Sequence, residues 1–246
     1  SHAALLAAVE DLGLPAVVKT RRHGYDGRGQ AALHAAADIN AAWSAIGEVP
    51  AILESFVPFR RELSLVVARD ANGSLAPYPL VENVHHGGIL RTTKAPAPDV
   101  SADLQQRADG YAALLLDALG YVGVLAIELF ELADGSLVIN EFAPRVHNTG
   151  HWSIEGAQTS QFANHLRAVV GLPLGATTPL GFACMVNLIG TLPDPGALLA
   201  LPDTHLHLYG KDPRPGRKLG HVTARAASVA RRDELCERIQ NLVAHH

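Results

Sequence analysis

Only two cysteines, Cys184 and Cys236, occur among the 246 residues. That is too few for a disulfide framework, and it points to a reducing, cytoplasmic compartment. Charge, Pro or Gly interrupts every apolar run well short of the roughly 20 residues that cross a bilayer, so no membrane partner is expected. Cations are not concentrated either. The formal net charge is −4, with acids and bases interspersed, which argues against a nucleic-acid footprint. No G-x-x-x-x-G-K-[ST] stretch occurs, so the phosphate-binding loop that this motif builds is excluded. No secretion signal is read at the start. Ser1-His2 and His245-His246 are set aside as tag-like ends.

Hydrophobic residues make up 48% of the chain and charged residues 18%, the balance of a globular protein of one or two domains. Helical patterns cover 3–12, about 34–46, 101–119, 158–170 and 232–244. Strands are expected at 16–18, 51–55, 61–69, 75–80, 182–189, 205–209 and 219–229. A hairpin is expected at 122–143, turning at Asp134-Gly135, and another turn at Asn72-Gly73. The class is α+β, with more hairpins than βαβ crossovers. Pro and Gly cluster at 171–181 and 193–196, which places the start of a small C-terminal subdomain near 176.

Four constellations carry chemistry. In the first, Lys19 ends a buried strand and a loop with Gly24, Gly27 and Gly29 follows. Glycine lets backbone N–H groups approach a polyanion, and lysine adds a point charge. The alternative is a hairpin tip with solvated charges. The second is Glu128 with Glu141. If Asp134-Gly135 are the two central residues of a tight turn, these glutamates sit directly opposite each other. Phe130 would then pair with Ile139 and Leu132 with Leu137, with Asn140 on the other face. Two like charges on an apolar face are destabilising unless one is protonated or a cation lies between them, and Mg²⁺ suits such a pair. A solvated edge is the competing reading.

The third follows at once, in Glu141-Phe-Ala-Pro-Arg145-Val-His147-Asn148-Thr-Gly150-His151. Arginine suits an anionic intermediate and histidine suits proton transfer; a purely structural polar loop is the alternative. His147 and His151 have helical spacing, but Gly150 and the missing H-E-x-x-H make zinc a poor choice. The fourth is Lys211-Asp-Pro-Arg214-Pro-Gly-Arg217-Lys218, a stiffened turn that would hold a phosphate monoester or stand as a solvated basic turn. Glu54-Ser55-Phe56-Val57 and Glu62 could meet an adenine edge and ribose hydroxyls, or form an ordinary strand end.

Together these segments resemble the ATP-grasp superfamily and, within it, the carboxyaminoimidazole ribonucleotide synthases. The strings that carry the resemblance are K-T-R-R-H-G-Y-D-G-R-G-Q (19–30), E-S-F-V-P-F-R-R-E-L-S (54–64), E-N-V-H-H-G-G-I-L (82–90), N-E-F-A-P-R-V-H-N-T-G-H-W (140–152) and K-D-P-R-P-G-R-K-L-G-H (211–221). The resemblance implies two α+β lobes gripping ATP, with a small C-terminal β-rich subdomain. It implies an ATP-grasp domain over 1–175, with a nucleotide lobe at about 12–84 and a metal lobe at about 85–175, and the subdomain over 176–246.

By the same resemblance, Lys19 and Gly24, Tyr25, Asp26, Gly27, Arg28, Gly29 and Gln30 cover the ATP phosphates. Glu54, Ser55, Phe56 and Val57 hold adenine, Glu62 holds the ribose, and His85 lies at the nucleotide. Glu128 and Glu141, with Asn140 beside them, hold Mg²⁺ or Mn²⁺. Arg145, His147 and Asn148, with Tyr25 and Asp26, surround bicarbonate and the reacting amine. Lys211, Arg214, Arg217 and Lys218 receive the ribose phosphate of aminoimidazole ribonucleotide. The implied catalytic set is Tyr25, Asp26, Arg145, His147 and Lys218. A homodimer of the full-length protein stays open. The family's N-terminal Rossmann-like domain is not read here, so this chain is expected to act as a fragment with little or no turnover. Rival readings are another ATP-grasp carboxylase or ligase, a non-catalytic ATP-binding module, and a structural zinc protein.

Overall fold

The computed structural model describes residues 1–24 and 27–244. The chain forms two compact units. The first comprises Ser1–Pro58 with the short segment His86–Ile89, and the second comprises Phe59–His85 with Leu90 onward. In chain order the elements are α1 (His2–Leu12), β1 (Ala16–Thr20), β2 (Gln30–Leu33), α2 (Ile39–Ala45), β3 (Ala51–Ser55), β4 (Arg61–Arg69), β5 (Leu75–Pro77), β6 (Val81–His86), β7 (Ile89–Ala95), α3 (Ala102–Leu119), β8 (Gly123–Glu131), β9 (Leu137–Ala143), α4 (Ser153–Gly156), α5 (Gln161–Val169), β10 (Phe182–Ile189), α6 (Pro195–Leu199), β11 (Thr204–Leu208), β12 (Lys218–Ala226) and α7 (Val229–Ala244).

In the first unit, β2-β1-β3 form an antiparallel sheet. Its apolar side packs Val18 and Leu33 against Leu5 and Val9 of α1 and Ile39 and Ala42 of α2. The helix expected at 34–46 begins late. Asp38 accepts the N–H groups of His34 and Ala35, each at 2.9 Å, and so shapes a 3₁₀ turn at Ala36–Asp38 before α2.

The second unit is built on one sheet in the order β11-β12-β10-β7-β6-β4-β8-β9, with β5 beside β4. Helix α3 covers one face. Ser101 caps its start by accepting the Leu104 N–H at 3.1 Å, and Gly120 ends it in the left-handed region at φ 56°. Leu104, Ala108, Ala112 and Leu116 recur every fourth residue and lie on Leu63, Leu65, Leu125 and Ile127. The alanines let the helix approach the strands closely. Strand β5 stops at Pro77 rather than running to residue 80, since proline has no ladder donor and Pro79 follows.

Two further expectations are corrected. Cys184 on β10 and Cys236 on α7 are joined in a disulfide, with Cα atoms 5.7 Å apart. The packing of α7 on β10 brings together residues 52 positions apart, both buried in one apolar cluster. The second correction concerns the 122–143 hairpin. Leu132 donates to Ser136 at 2.9 Å and Gly135 sits at φ 79°, so the loop has three residues, Ala133-Asp134-Gly135, rather than two. The ladder therefore starts one step from the expected register, pairing Glu131 with Leu137, Phe130 with Val138 and Leu129 with Ile139. A bulge then takes up Asn140, and Glu128 pairs with Glu141 as expected. The sequence reading also passed over the β6–β7 hairpin, although Gly87-Gly88, at φ 59° and 74°, form the kind of two-glycine turn that joins twisted strands.

Candidate active site

In the first unit, Lys19 at the end of β1 reaches back to β3, where its Nζ stands 2.6 Å from Glu54 Oε2. The glycine loop closes beneath it, with the Thr20 N–H donating to Gly29 O at 2.7 Å. Two of its glycines are required by contact. A Cβ on Gly29 would lie 2.5 Å from Thr20 Oγ1, and one on Gly27 would lie 2.7 Å from the Gly88 Cα. Gly24 is less crowded, its nearest neighbour being Arg28 O at 3.3 Å. Tyr25 and Asp26 lie outside the described residues. Gln30 opens β2 and Ser55 ends β3. The Phe56 N–H donates to Pro15 O at 3.0 Å, so that donor is already engaged within the unit; the Phe56 ring leans on His34.

In the second unit, β8 and β9 set Glu128 against Glu141. Burial first, and then the charge of Glu141, push the Glu128 carboxyl up to about 7. Glu62 on β4 is bound to His85 Nδ1 on β6 by a short hydrogen bond. Burial alone would lower the His85 pKa, but that bond together with the charges of Glu62, Glu128 and Glu141 raises it. Glu62, His85, Glu128 and Glu141 thus form one electrostatic group. The bulge also releases Asn140 from strict alternation, so it is not obliged to the face away from Glu141.

The turn after β9 brings His147 Nε2 to 3.4 Å from Glu128 Oε1. Burial, reinforced by the positive charges of Arg145 and Lys218, drives the His147 pKa down to about 3. At neutral pH this imidazole is therefore uncharged. Arg145 is exposed. Asn148 has both side-chain polar atoms buried without a protein partner, and such groups normally mark where a ligand or water binds. The basic turn divides. Lys211 and Arg214 are exposed, whereas Arg217 is held by donation to Asp212 O at 3.2 Å, and Lys218 opens β12.

One residue that shapes this turn escaped sequence reasoning. Gln161, fully buried at the start of α5, accepts the His147 N–H at 2.9 Å, donates to His147 O at 2.6 Å and meets His151 Nδ1 at 2.9 Å. Gly150 is glycine because a Cβ there would lie 2.4 Å from the Gln161 Oε1. The only sequence signal is Ser160, a good cap placed just before a glutamine.

An ATP-grasp domain family model matches residues 1–162. The chain belongs to the ATP-grasp family. A second model, the phosphoribosylaminoimidazole carboxylase C-terminal domain, matches residues 183–235 of this ATP-grasp chain. It is 52% identical over 230 residues to the N5-carboxyaminoimidazole ribonucleotide synthase of Pseudomonas aeruginosa, covering 94% of the chain and 63% of that relative. The crystal structure of N5-carboxyaminoimidazole ribonucleotide synthetase from Thermus thermophilus superposes with a TM-score of 0.90 at 51% identity, over 98% of this chain and 65% of that one. The synthase from Aspergillus clavatus, solved with ADP and 5-aminoimidazole ribonucleotide, superposes with a TM-score of 0.91 at 32% identity, over 99% of this chain and 66% of that one. The chain therefore spans about two thirds of the length of the relatives it matches. No helix among the described residues is long and apolar enough to cross a membrane.

Proposed function

We propose that this ATP-grasp chain serves an enzyme that carboxylates the amine of 5-aminoimidazole ribonucleotide with bicarbonate, driven by ATP. The observation that carries the reading is the opposition of Glu128 and Glu141 beside an uncharged His147. We assign residues 1–175 to the ATP-grasp portion and 176–246 to the C-terminal subdomain, an assignment supported by the family matches at 1–162 and 183–235.

The donor set fits a hard divalent cation. Glu128 and Glu141 offer only oxygen, and their mutual repulsion is relieved by a positive charge between them. Among the described residues no group of three or more His, Cys, Asp or Glu stands ready to hold a metal, so nucleotide phosphate oxygens would complete its shell. Mg²⁺ fits this arrangement, and Mn²⁺ would fit as well. When bound, the cation would neutralise phosphate charge.

In the proposed reaction a bicarbonate oxygen attacks the γ-phosphorus of ATP, the bond to the β-phosphate oxygen breaks, and ADP leaves. The ribonucleotide amine then attacks the carboxyl carbon of the resulting carboxyphosphate, and phosphate departs. The amine proton passes to a base, a role we assign to His147 by its position 3.4 Å from Glu128. Arg145 and Asn148 orient the carboxylate, while Lys218 and the 211–217 turn take the ribose phosphate. In the first unit Lys19, Gly24, Gly27, Arg28, Gly29 and Gln30 contact phosphates, with Tyr25 and Asp26 of the same loop assigned to the reacting groups. Glu54 to Val57 contact adenine. In the second unit Glu62 contacts ribose, and His85 and Asn140 lie at the nucleotide.

The test is ADP release by the full-length protein with each substrate omitted in turn. Release should require both bicarbonate and the ribonucleotide. Release indifferent to the ribonucleotide would defeat the reading.

A further inference from the structure

The second unit also holds a column of four neighbouring rings that none of these roles uses. Phe162 on α5, His151, His221 on β12 and His207 on β11 follow one another with centroids 5.3, 5.1 and 4.5 Å apart. The last pair is nearly parallel, at 13°. Gln161 meets His151 Nδ1 at 2.9 Å, and the Glu155 Oε1 meets His207 Nε2 at 2.6 Å. Tyr209 adds a side brace, its hydroxyl 2.6 Å from His221 Nδ1.

The column is costly to build. His221 is 2% exposed and its Nε2 is buried without a partner. A buried polar atom without a hydrogen-bond partner is destabilising, and apolar side chains would fill the space without that cost. The position of the column explains what it gives in return. On one side of His221, His151 belongs to the turn that carries His147 and Asn148. On the other, β11 and β12 are the two arms of the hairpin that carries residues 211–218. Lys211 Nζ lies 5.4 Å from the centre of the Tyr209 ring, so the loop itself rests on the brace. The charge of Lys218 is felt by both His147 and His151, so the two sides lie within one small volume.

We propose that the column, with His221 at its centre and Tyr209 as its brace, is a spacer that sets the separation between the 147–148 turn and the 211–218 hairpin. This inference rests on the function proposed above, in which one ribonucleotide places its amine at the turn and its phosphate at the hairpin. A fixed spacer makes phosphate binding align the amine, so His221 and Tyr209 are positioning residues that favour the phosphorylated substrate over the riboside lacking phosphate. Binding energy from a remote group is turned into alignment at the reacting atom in this way.

The test compares wild-type full-length protein with Tyr209→Phe, His221→Ala and His221→Phe. It measures kcat and KM for the ribonucleotide, for the riboside and for ATP. Tyr209→Phe should raise the ribonucleotide KM about threefold to tenfold, the size of one lost hydrogen bond, and reduce the preference for ribonucleotide over riboside by a similar factor. The ATP KM should stay within about twofold. His221→Ala should show a larger loss, and His221→Phe, which restores a ring of similar size, should recover part of it. If Tyr209→Phe, the variant least able to disturb folding, keeps the wild-type preference, the spacer is refuted while the proposed function stands. The same holds if ATP and ribonucleotide KM rise together in all three variants. A wild type that ignores the ribonucleotide would overturn both.

Discussion

Replacing Glu141 with glutamine separates a structural from a functional role for the carboxylate pair. Directly opposed residues place their Cβ atoms about 5 Å apart, and β8 and β9 pair Glu141 with Glu128. Two unit charges at that distance repel by about 3 kcal/mol at an effective dielectric of 20 and by about 0.8 kcal/mol in water. Glu141 is exposed, so the lower end applies, at about 1 kcal/mol. Glu128, held up to about 7, is ionised at pH 8.5 and protonated at pH 5.5. Glu141→Gln should therefore stabilise the metal-free protein by about 1 kcal/mol at pH 8.5 and by almost nothing at pH 5.5. Urea unfolding in EDTA measures this. The same change should weaken Mg²⁺-ADP binding about tenfold or more, equivalent to about 1.4 kcal/mol, while metal-free ADP binding stays nearly constant. Calorimetry with and without Mg²⁺ reads that difference. A variant that is less stable at pH 8.5, or that binds Mg²⁺-ADP as tightly as wild type, would refute the reasoning.

Three further outcomes are expected. Burial first, and then neighbouring ionisable side chains, hold His151 at about 4 and His221 at about 3, both below the ordinary 6.5, so the unfolded chain takes up protons that the folded one refuses. Each of these histidines should lower stability by about 1.4 kcal/mol between pH 7.5 and pH 5.5, while Glu128, held up to about 7, acts in the opposite direction; urea midpoints of wild type and His221→Gln at both pH values test this, and the variant should lose about one histidine's share of the pH dependence. Gly29→Ala puts a side chain at φ 73° and 2.5 Å from Thr20 Oγ1, and should cost about 1–3 kcal/mol, seen as a lower melting temperature of the first unit. Gln161→Leu strips the 147–151 turn of its buried brace, and should cost about 3 kcal/mol with near-complete loss of ribonucleotide-dependent ADP release.

Much of the fold is legible locally. Strand β4 is a nine-residue run whose apolar and β-branched side chains suit a buried strand. Helix α3 announces itself through Ser101, its four-residue apolar repeat and Gly120. The carboxylate pair follows from counting across a two-residue hairpin turn even though the loop has three residues, because the bulge at Asn140 offsets the extra loop residue. Features assembled from distant segments were not legible. The ring column joins residues 151, 162, 207 and 221 through sheet order and helix docking that no periodicity encodes. The Cys184–Cys236 link was invisible for the same reason, since strand-like and helix-like surroundings gave no hint that α7 lies on β10. Gln161 looked like an ordinary first-turn residue, and its role follows only from the fold of the turn before it.

The offset between loop and bulge in the β8–β9 hairpin has a consequence for anyone recombining these domains. With the three-residue loop, Asn140 is the surplus residue that lets Glu141 reach Glu128. Without that bulge the ladder would run on in its starting register, with Asn140 opposite Glu128 and Glu141 opposite Ile127, whose side chain lies in the apolar layer beneath α3. A carboxylate would then face a dry surface and the opposed pair would be lost. A turn of another length grafted between Leu132 and Ser136 leaves those pairings alone, so a chimera can exchange the loop but should keep the bulge.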